Sequence, residues 1–492
     1  MDTTPLRPAP SSTVADRPPA LTLPVVLVGV VLVAMSISGT AVALPRIGLD
    51  LDASGSALNW VVAGYNLAFA AMTLVAGSTA DRAGRRRVFV IATLIFTSGF
   101  LATALSPSIV LADLARIVSG AGGAGMMAAG GAILASSYDG AGRHRAFALM
   151  GTMAGVGIAA GPTLSGLLIS ATGWRGSFAV FTVIGLLIAL GTTRLREHRS
   201  TAGRTDWPGS ALFVTALTLL MFALLETPSL GWTHPVILVT AGAGVVALAL
   251  FGVVQRRSAA PVLAPSLVAN RGFLGWSLAT LTTSTGFLGV LVFLPTYLQT
   301  AAGLSPAAAG ATMLLLTAPV LVTPMAAVTL VNKGVPARLL IMVSLVLVVA
   351  GNFWLMALDP GDTVAIVAAP LVLIGVGMGT SFGITDGQAM ALVPADAVGM
   401  AAGFLNTLRG TAEALVIAAF SASLTAGLTA RLGDADHAAA VSAGRLTASE
   451  GAAELVAFTQ SWRTTQFGVG VLCLALSTAV ATLIFSRRAR RG

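Results

Sequence analysis

Four charged residues stand inside apolar stretches of the chain, at spacings typical of one helix face. Asp113 precedes Arg116 by three residues and Arg409 precedes Glu413 by four, so each acid and base can face the same side of a helix. A charge at the centre of a membrane helix costs about 2.5 to 3.5 kcal/mol, and such residues often mark an ion or solute pathway. All four are therefore candidates for proton coupling. Mutual neutralisation within each pair is the structural alternative.

The composition of the chain indicates that it is a membrane protein. Of the 492 residues, 56% are apolar and only 10% are charged, with a mean hydropathy of +0.89. A soluble fold does not bury so large an apolar fraction in one core. A helix crosses a bilayer core of roughly 30 Å with about 20 apolar residues, and we predict fourteen such helices in an all-α polytopic protein. They lie near residues 22–44, 58–79, 88–106, 109–135, 146–171, 175–194, 208–225, 234–254, 273–297, 307–330, 337–357, 364–384, 397–420 and 464–486.

The basic residues support this count of spans. Short cytoplasmic loops carry an excess of Lys and Arg, and an even number of spans with both ends inside places most of the 28 basic residues there. The formal net charge of +9 thus follows from topology, and no soluble basic domain is left to bind nucleic acid. The apolar stretch from Leu23 to Leu44 is too long for a signal peptide, so we expect it to be the first span.

Two pairs of similar segments within the sequence divide the spans into two halves. Residues 81–94 resemble residues 331–345, and residues 116–129 resemble residues 371–383. Parallel repeats of this kind build many secondary transporters, in which the solute binds between the halves. The predicted segments are a cytoplasmic tail at 1–21, a six-helix half at 22–194, linkers with two extra spans at 195–272, a six-helix half at 273–486 with an extracytoplasmic loop at 430–462, and a basic cytoplasmic tail at 487–492.

Several stretches resemble the major facilitator superfamily, and the number of spans resembles its drug:proton antiporter branch. The loop after the second span reads GSTADRAGRR from Gly77, which is similar to the family's G-x-x-x-D-R-x-G-R-R signature. Arg116 and Gly120 match the fourth-helix pattern R-x-x-Q-G, with Ser119 in place of Gln. The fifth span reads GIAAGPTLSG over 157–166, which resembles the antiporter signature G-x-x-x-G-P-x-x-G-G. Segments 293–310 and 392–410 resemble the ninth and thirteenth helices of the branch.

The resemblance implies roles for the loop and for the fifth span. In the family this loop is a conformational latch, and its residues here are Gly77, Asp81, Arg82, Gly84, Arg85 and Arg86. A solvated positive loop would explain the arginines but would leave the single carboxylate unexplained. In similar antiporters the fifth helix seals the cavity through close packing, and its residues here are Gly157, Gly161, Pro162 and Gly166. Ordinary packing of small residues is the alternative for these four.

Two positions depart from the pattern of the drug antiporters. Ser36 stands in the first span where many of them carry an aspartate, and Glu413 stands where relatives usually carry Gly. Proton coupling here therefore requires another carboxylate, for which we favour Asp113 or Glu413, or else the protein is not driven by protons. Asp386 and Glu226 lie near helix ends, and we interpret both as interfacial residues.

Polar residues within the apolar spans are candidates for lining the substrate cavity. They are Ser36, Ser38, Thr40, Tyr65, Asn66, Gln299 and Asn406. Hydrogen bonding from helix to helix is the commoner role of such residues in membranes. The 55 glycines and the low charge favour a roomy apolar pocket for lipophilic solutes.

The remaining motifs exclude several classes of protein. GAGGAG at 120–125 satisfies G-x-G-x-x-G, but a dinucleotide site needs a preceding strand, so we expect no cofactor. The four histidines and the single cysteine lack metal-ligand spacing, and no enzyme site converges. We therefore expect a monomeric exporter in the bacterial cell membrane, which couples efflux of a lipophilic drug, antibiotic or secondary metabolite to protons by alternating access. An uptake transporter on the same fold and a receptor that transports nothing remain the alternatives.

Overall fold

The computed structural model describes residues 20–138, 140–195, 197, 206–258, 270–359, 364–392, 398–447 and 451–485. All regular elements in these ranges are helices. The α-helices are α1 (Thr22–Gly39), α2 (Leu44–Asp50), α3 (Gly55–Ala83), α4 (Arg85–Leu105), α5 (Ile109–Ser137), α6 (Gly140–Gly191), α7 (Trp207–Leu230), α8 (Pro235–Arg257), α9 (Arg271–Ala301), α10 (Pro306–Thr312), α11 (Leu314–Thr317), α12 (Pro319–Asn332), α13 (Ala337–Trp354), α14 (Val364–Met390), α15 (Val398–Leu432), α16 (Ala435–Ser442) and α17 (Gly451–Phe485). Short 3-10 turns lie at Thr40–Ala43, Thr192–Arg194 and Leu355–Ala357.

Twelve helical segments of the described residues are long and apolar enough to cross a membrane. One of them, Leu149–Arg194, has 46 residues, which is about 70 Å of helix and twice the thickness of a bilayer core. It breaks at Gly173, where φ is +72°, and so provides two crossings. The 29-residue helix α3 is not one of the twelve but has the length to cross. An all-α multi-pass membrane fold is therefore confirmed, and the twelve segments are compatible with fourteen spans.

Several element boundaries differ from those expected from hydropathy. The first span continues through the turn Thr40–Ala43 into α2 and ends at Asp50. The loop predicted at 430–462 is largely helical, because α15 extends to Leu432, α16 occupies its middle and α17 begins at Gly451. Polar helices that continue beyond the apolar run produce these differences, since hydropathy locates the membrane and not the helix ends.

The helices form two bundles with an extra pair beside them. Helices α1 and α3–α6 form the first half, and α9–α15 with α17 form the second. The extra pair, α7 and α8, is joined at one end because Asp206 accepts from Gln255 Nε2 at 2.6 Å and from Gly209 N at 2.9 Å. Helix α7 touches both α3 and α15, so the pair lies over one seam between the halves.

The bundle has two ends that differ in their contacts. Helix α16 packs on the start of α3, where Ala439 lies against Gly55. We name this end the α16 face. The opposite end of α3 leads into Gly84 and α4, and we name it the Gly84 face. Among the described residues, polar contacts between the halves lie on the α16 face and in the middle of the bundle.

Candidate transport site

Arg116 is the largest charged side chain buried in the first half. It is 0% exposed, and α5 directs it toward α1 and α3. Its Nε donates to Val61 O at 3.0 Å, and Nη1 donates to Ser36 Oγ at 3.1 Å. The guanidinium lies 4.3 Å from the centre of the Tyr65 ring. Nη2 has no hydrogen-bond partner in the part of the chain that the structure describes, so the charge is held in place by its other contacts.

The alternative of mutual neutralisation between Asp113 and Arg116 is not what this structure shows. No ion pair joins the two residues in the described part of the chain, since Arg116 faces α1 and α3 and Asp113 Oδ1 is buried without a partner. Asp113 lies in the first turns of α5, near the α16 face. Glu226 of α7 acts on it electrostatically, so it has another acid in its surroundings. A shared helix face allows a pair but does not force the two side chains to meet.

The alternative of mutual neutralisation does not describe Arg409 and Glu413 either. Arg409 Nη2 lies 3.1 Å from Asp386 Oδ1 on α14 and forms an ion pair with it, so Asp386 is a partner within the protein and not a free interfacial residue. Glu413 accepts no hydrogen bond and forms no ion pair among the described residues, although Arg409 and Tyr65 act on it electrostatically. The carboxylate that the sequence assigned to Arg409 is therefore left without a direct partner.

The contact between α3 and α15 places Glu413 against the first half. Asn59 Nδ2 donates to Ser421 Oγ at 2.5 Å, and Gly410 packs on Ala70. The helices are antiparallel, so the turn of α3 that follows Tyr65 faces the turn of α15 that holds Glu413. Neither amide atom of Asn66, which is 1% exposed, has a hydrogen-bond partner among the described residues. A polar group in a low dielectric is costly when unpaired, and both Asn66 and Arg116, in the first half, have such atoms.

A small pocket of about 10 Å³, which is room for about one water molecule, adjoins Arg116 inside the first half. Its polar lining is Ser36, Thr40, Ser165 and Ser177, and its aromatic lining is Phe100, Phe178 and Phe181. Arg116 lies over the Phe100 and Phe178 rings and reaches the pocket wall through Ser36. Two of the predicted cavity residues are thus brought together, within one half and not between the halves.

The other predicted cavity residues have structural contacts. Ser38 Oγ is 3.5 Å from Gly157 O and packs on Gly161, and Gln299 Nε2 donates to Val42 O across the halves at 3.3 Å. The side chain of Asn406 lies outside the described residues. Hydrogen bonding between helices, which was the alternative at the sequence level, describes Ser38 and Gln299 in this conformation.

The fifth span packs on both of its sides through small residues. Gly157 and Gly161 lie against α1, where a methyl group on Gly157 would be 2.6 Å from Val31 O. On the other side, a methyl group on Gly166 would be 2.4 Å from Pro306 O of α10. Thr163 Oγ1, next to Pro162, donates to Gly310 O at 2.9 Å. This helix therefore makes a tight contact between the halves, as a seal requires.

The predicted latch loop is held within the first half. Arg85 Nη1 donates to Ala132 O at 3.1 Å, and Arg86 Nε donates to Thr192 O at 3.1 Å. Gly77 has Ala128 nearby, and the side chains of Asp81 and Arg82 lie outside the described residues. Backbone amides of Arg86 and Arg87 donate to Glu197, each at 3.1 Å.

Sequence reasoning missed two carboxylates. Glu197 caps the start of α4, and its position just after the sixth span was the only signal. Glu226 accepts from Trp60 Nε1 at 3.1 Å and from Ser56 Oγ at 3.2 Å. It therefore attaches the extra pair to α3, whereas its place near a helix end had suggested an interfacial residue.

Neither a nucleotide-binding loop nor a metal cluster is found in the described ranges. GAGGAG lies in the middle of α5, which follows a helix, so the strand that a dinucleotide site needs is not there. No group of three His, Cys, Asp or Glu residues within the part of the chain that the structure covers could hold a metal ion.

Comparisons with known proteins agree with the fold. The sequence model of the family described as the Major Facilitator Superfamily matches residues 26–417 of this chain. The multidrug resistance protein Stp of Mycobacterium tuberculosis is 31% identical over 423 residues, covering 85% of this chain and 78% of that protein. The puromycin resistance protein pur8 of Streptomyces alboniger is 32% identical over 420 residues, covering 84% and 83%.

A solved structure supports the same architecture. The crystal structure of a bacterial homologue of the human lysosomal transporter Spinster, in its inward-facing and unoccupied conformation, superposes with a TM-score of 0.67. It covers 94% of this chain and 96% of that one at 16% sequence identity. At this identity the likeness concerns the fold alone.

Proposed function

Because this chain belongs to the major facilitator superfamily, we propose that it exports lipophilic small molecules in exchange for protons. Its relatives are named for resistance to many drugs and to puromycin, which supports efflux of antibiotics or secondary metabolites. It is a multi-pass membrane protein of bacterial type. We place both termini in the cytoplasm and the α16 face outside the cell, because that orientation puts most basic residues inside. We further propose that it is a monomer and a transporter with no enzymatic step.

One observation carries the coupling proposal. Arg116 and Glu413 belong to different halves, each lacks an oppositely charged group bonded to it among the described residues, and Tyr65 interacts with both. Rocking of the halves changes the distance between the two charges. If the interaction between Arg116 and Glu413 differs between two conformations, the proton affinity of Glu413 differs between them as well, because the coupling of two equilibria is reciprocal.

The other charged candidates are less suited to this role. Asp386 already neutralises Arg409, so that pair can remain intact through the cycle. Asp113 is near the α16 face and acts on Glu226 of the extra pair, away from the contact between α3 and α15. We therefore assign the exchangeable proton to Glu413 and regard Arg116 as the fixed positive charge of the other half.

The pocket suits a lipophilic solute with few polar groups. Phe100, Phe178 and Phe181 supply apolar surface, while Ser36 and Thr40 supply hydroxyls. Such sites bury most of a ligand against aromatic walls and fix its orientation with a small number of polar contacts. The pocket has about 10 Å³ in this conformation, so we propose that it widens toward the seam between the halves as that seam opens and takes cargo only then.

Reconstitution into vesicles with an imposed pH gradient tests this assignment. With puromycin and a panel of lipophilic dyes as probes, the wild type should accumulate cargo and Glu413→Gln should not. The same variant should still exchange labelled for unlabelled cargo without a gradient, because only the proton is lost. Asp113→Asn is the matched control and should keep gradient-driven accumulation. Undiminished accumulation in Glu413→Gln would overturn the assignment.

A further inference from the structure

Two aspartates at one turn on the α16 face form ion pairs, one with a residue of the first half and one with a residue of the second. The turn between α2 and α3 follows Asp50 and contains Asp52. Asp50 pairs with Arg175 and accepts from Trp174 Nε1, both in the first half. Asp52 pairs with Arg445, which follows α16 in the second half. The turn thus joins one carboxylate to its own half and the other to the opposite half.

The backbone of Asp52 adopts a conformation that is uncommon for residues other than glycine. Its φ is +47°, and it is the one residue other than glycine with a positive φ in the described part of the chain. Its side chain is 93% exposed, so burial does not hold it in this conformation. A residue in a sparsely populated region persists because surrounding contacts determine it, and here the ion pair to Arg445 is such a contact.

The segment that carries Arg445 is held in place by contacts with other elements of the second half. Glu454, 0% exposed, accepts from Thr447 N at 2.7 Å and from Thr447 Oγ1 at 2.8 Å, and pairs with His437 at 2.6 Å. These bonds join both ends of the segment to the start of α17. Gly444 lies against Thr300 at the end of α9. The segment is therefore a firm part of the second half.

We infer that residues 433–447, centred on α16, form a cap that holds the protein closed on its outer face through the Arg445 to Asp52 ion pair. The cap also covers Gly55 at the start of α3 through Ala439. Opening toward the outside must separate the two halves at this face, and so must break both contacts. Arg445 and Asp52 are positioning residues: they set how often the outer side opens and touch no cargo. This inference rests on the proposed function for its direction, since it takes the α16 face to be outside.

Access of a reagent to one buried position measures this opening directly. Thr296 is 5% exposed and lies beneath Gly444, so a cysteine there reports whether the cap has lifted. The single native cysteine, Cys473, is 0% exposed and is replaced by alanine. In whole cells treated with a membrane-impermeant maleimide, Asp52→Asn should speed labelling of Thr296→Cys by about two- to five-fold, the range for loss of an exposed ion pair.

Asp50→Asn is the matched control. It removes the neighbouring carboxylate, whose ion pair stays within one half, and should leave the labelling rate unchanged. Asparagine tolerates a positive φ, so Asp52→Asn removes the charge without new backbone strain. Equal labelling in both variants, or faster labelling in Asp50→Asn, would overturn the inference.

A second pair of variants separates the charge from the fold. Arg445→Lys keeps a cation and should restore slow labelling, whereas Arg445→Gln should label as fast as Asp52→Asn. If both Arg445 variants label alike, the cap does not act through this ion pair. Labelling needs no cargo and no proton gradient, so it succeeds or fails independently of the proposed export.

Transport gives the functional counterpart of this measurement. A protein that spends more time open to the outside has a smaller fraction open to the cytoplasm, and its apparent affinity falls by that fraction. Asp52→Asn should therefore raise the KM for cytoplasmic cargo by up to about five-fold, with kcat little changed. A fall in kcat at constant KM would contradict the cap.

Discussion

Alanine at position 166 should drive the protein out of the conformation described above. The added methyl carbon would lie 2.4 Å from Pro306 O and 3.2 Å from Ala307 Cα. Carbon and oxygen normally approach no closer than about 3.3 Å, so α6 and α10 would have to separate by about 0.9 Å. Overpacking of this kind costs about 1 to 3 kcal/mol. Because α6 and α10 belong to different halves, that cost falls on the closed outer side and shifts the equilibrium toward the open one by roughly 5- to 150-fold.

The assay compares this shift with the stability of the fold. Labelling of Thr296→Cys from outside reports the equilibrium, and thermal unfolding in detergent reports the fold. Gly166→Ala should speed labelling while changing the melting temperature little. Gly151→Ala, on the same helix with nothing within 4 Å of the added carbon, should change neither. Gly157→Ala, whose clash with Val31 lies inside the first half, should lower the melting temperature without faster labelling.

One result would refute this reasoning. If Gly166→Ala lowers the melting temperature as Gly157→Ala does and leaves labelling unchanged, the contact with α10 belongs to the permanent fold. The two halves would then not separate along α6, and the fifth span would not be a seal that opens.

Three further variants follow from single contacts. Gly84→Ala combines a φ of +110° with a methyl carbon 2.6 Å from Glu197 Oε1, so thermal unfolding should show a loss of about 1 to 2 kcal/mol. Arg116→Lys should abolish gradient-driven uptake in vesicles, because a point charge on a flexible stem does not reproduce the separate bonds and ring stacking of the guanidinium; uptake at the wild-type rate would contradict this. Trp60→Phe removes the 3.1 Å bond to Glu226 and should cost about 1.5 to 3 kcal/mol in thermal unfolding, with proton coupling retained.

Much of the fold could be predicted because hydropathy acts over whole helices. A stretch of about 20 apolar residues has few alternatives to crossing the bilayer, and the family signatures at Gly77 and Gly157 supported the assignment. Helix ends were not predictable in this way. Residues 430–432 and 451–462 continue α15 and α17 beyond the apolar run, and their helical backbone carries no hydropathy signal.

The sequence predicted which residues belong to the site, but it did not predict which of them contact one another. Spacing within a helix identified Arg116, Arg409 and Glu413, because a buried charge is conspicuous among apolar neighbours. It did not identify their partners, since Arg409 meets Asp386 on another helix and a contact between helices leaves no periodic trace in one sequence. Glu197 was missed for the same reason, because its capping of α4 joins positions 111 residues apart.

The placement of the contacts between the halves fits a protein that must break them repeatedly. Within the membrane the halves meet through Gly166 on Pro306, Gly410 on Ala70 and the uncharged bond from Asn59 to Ser421. Separating such groups leaves no bare charge in hydrocarbon. Removing one partner from a buried ion pair costs several kcal/mol, whereas an exposed pair is worth about 1 kcal/mol or less. The ion pair of Arg445 with Asp52 lies at the exposed face, where water replaces a lost partner. Under the proposed coupling, Glu413 takes up a proton before the halves separate, so that it does not become a bare charge in hydrocarbon.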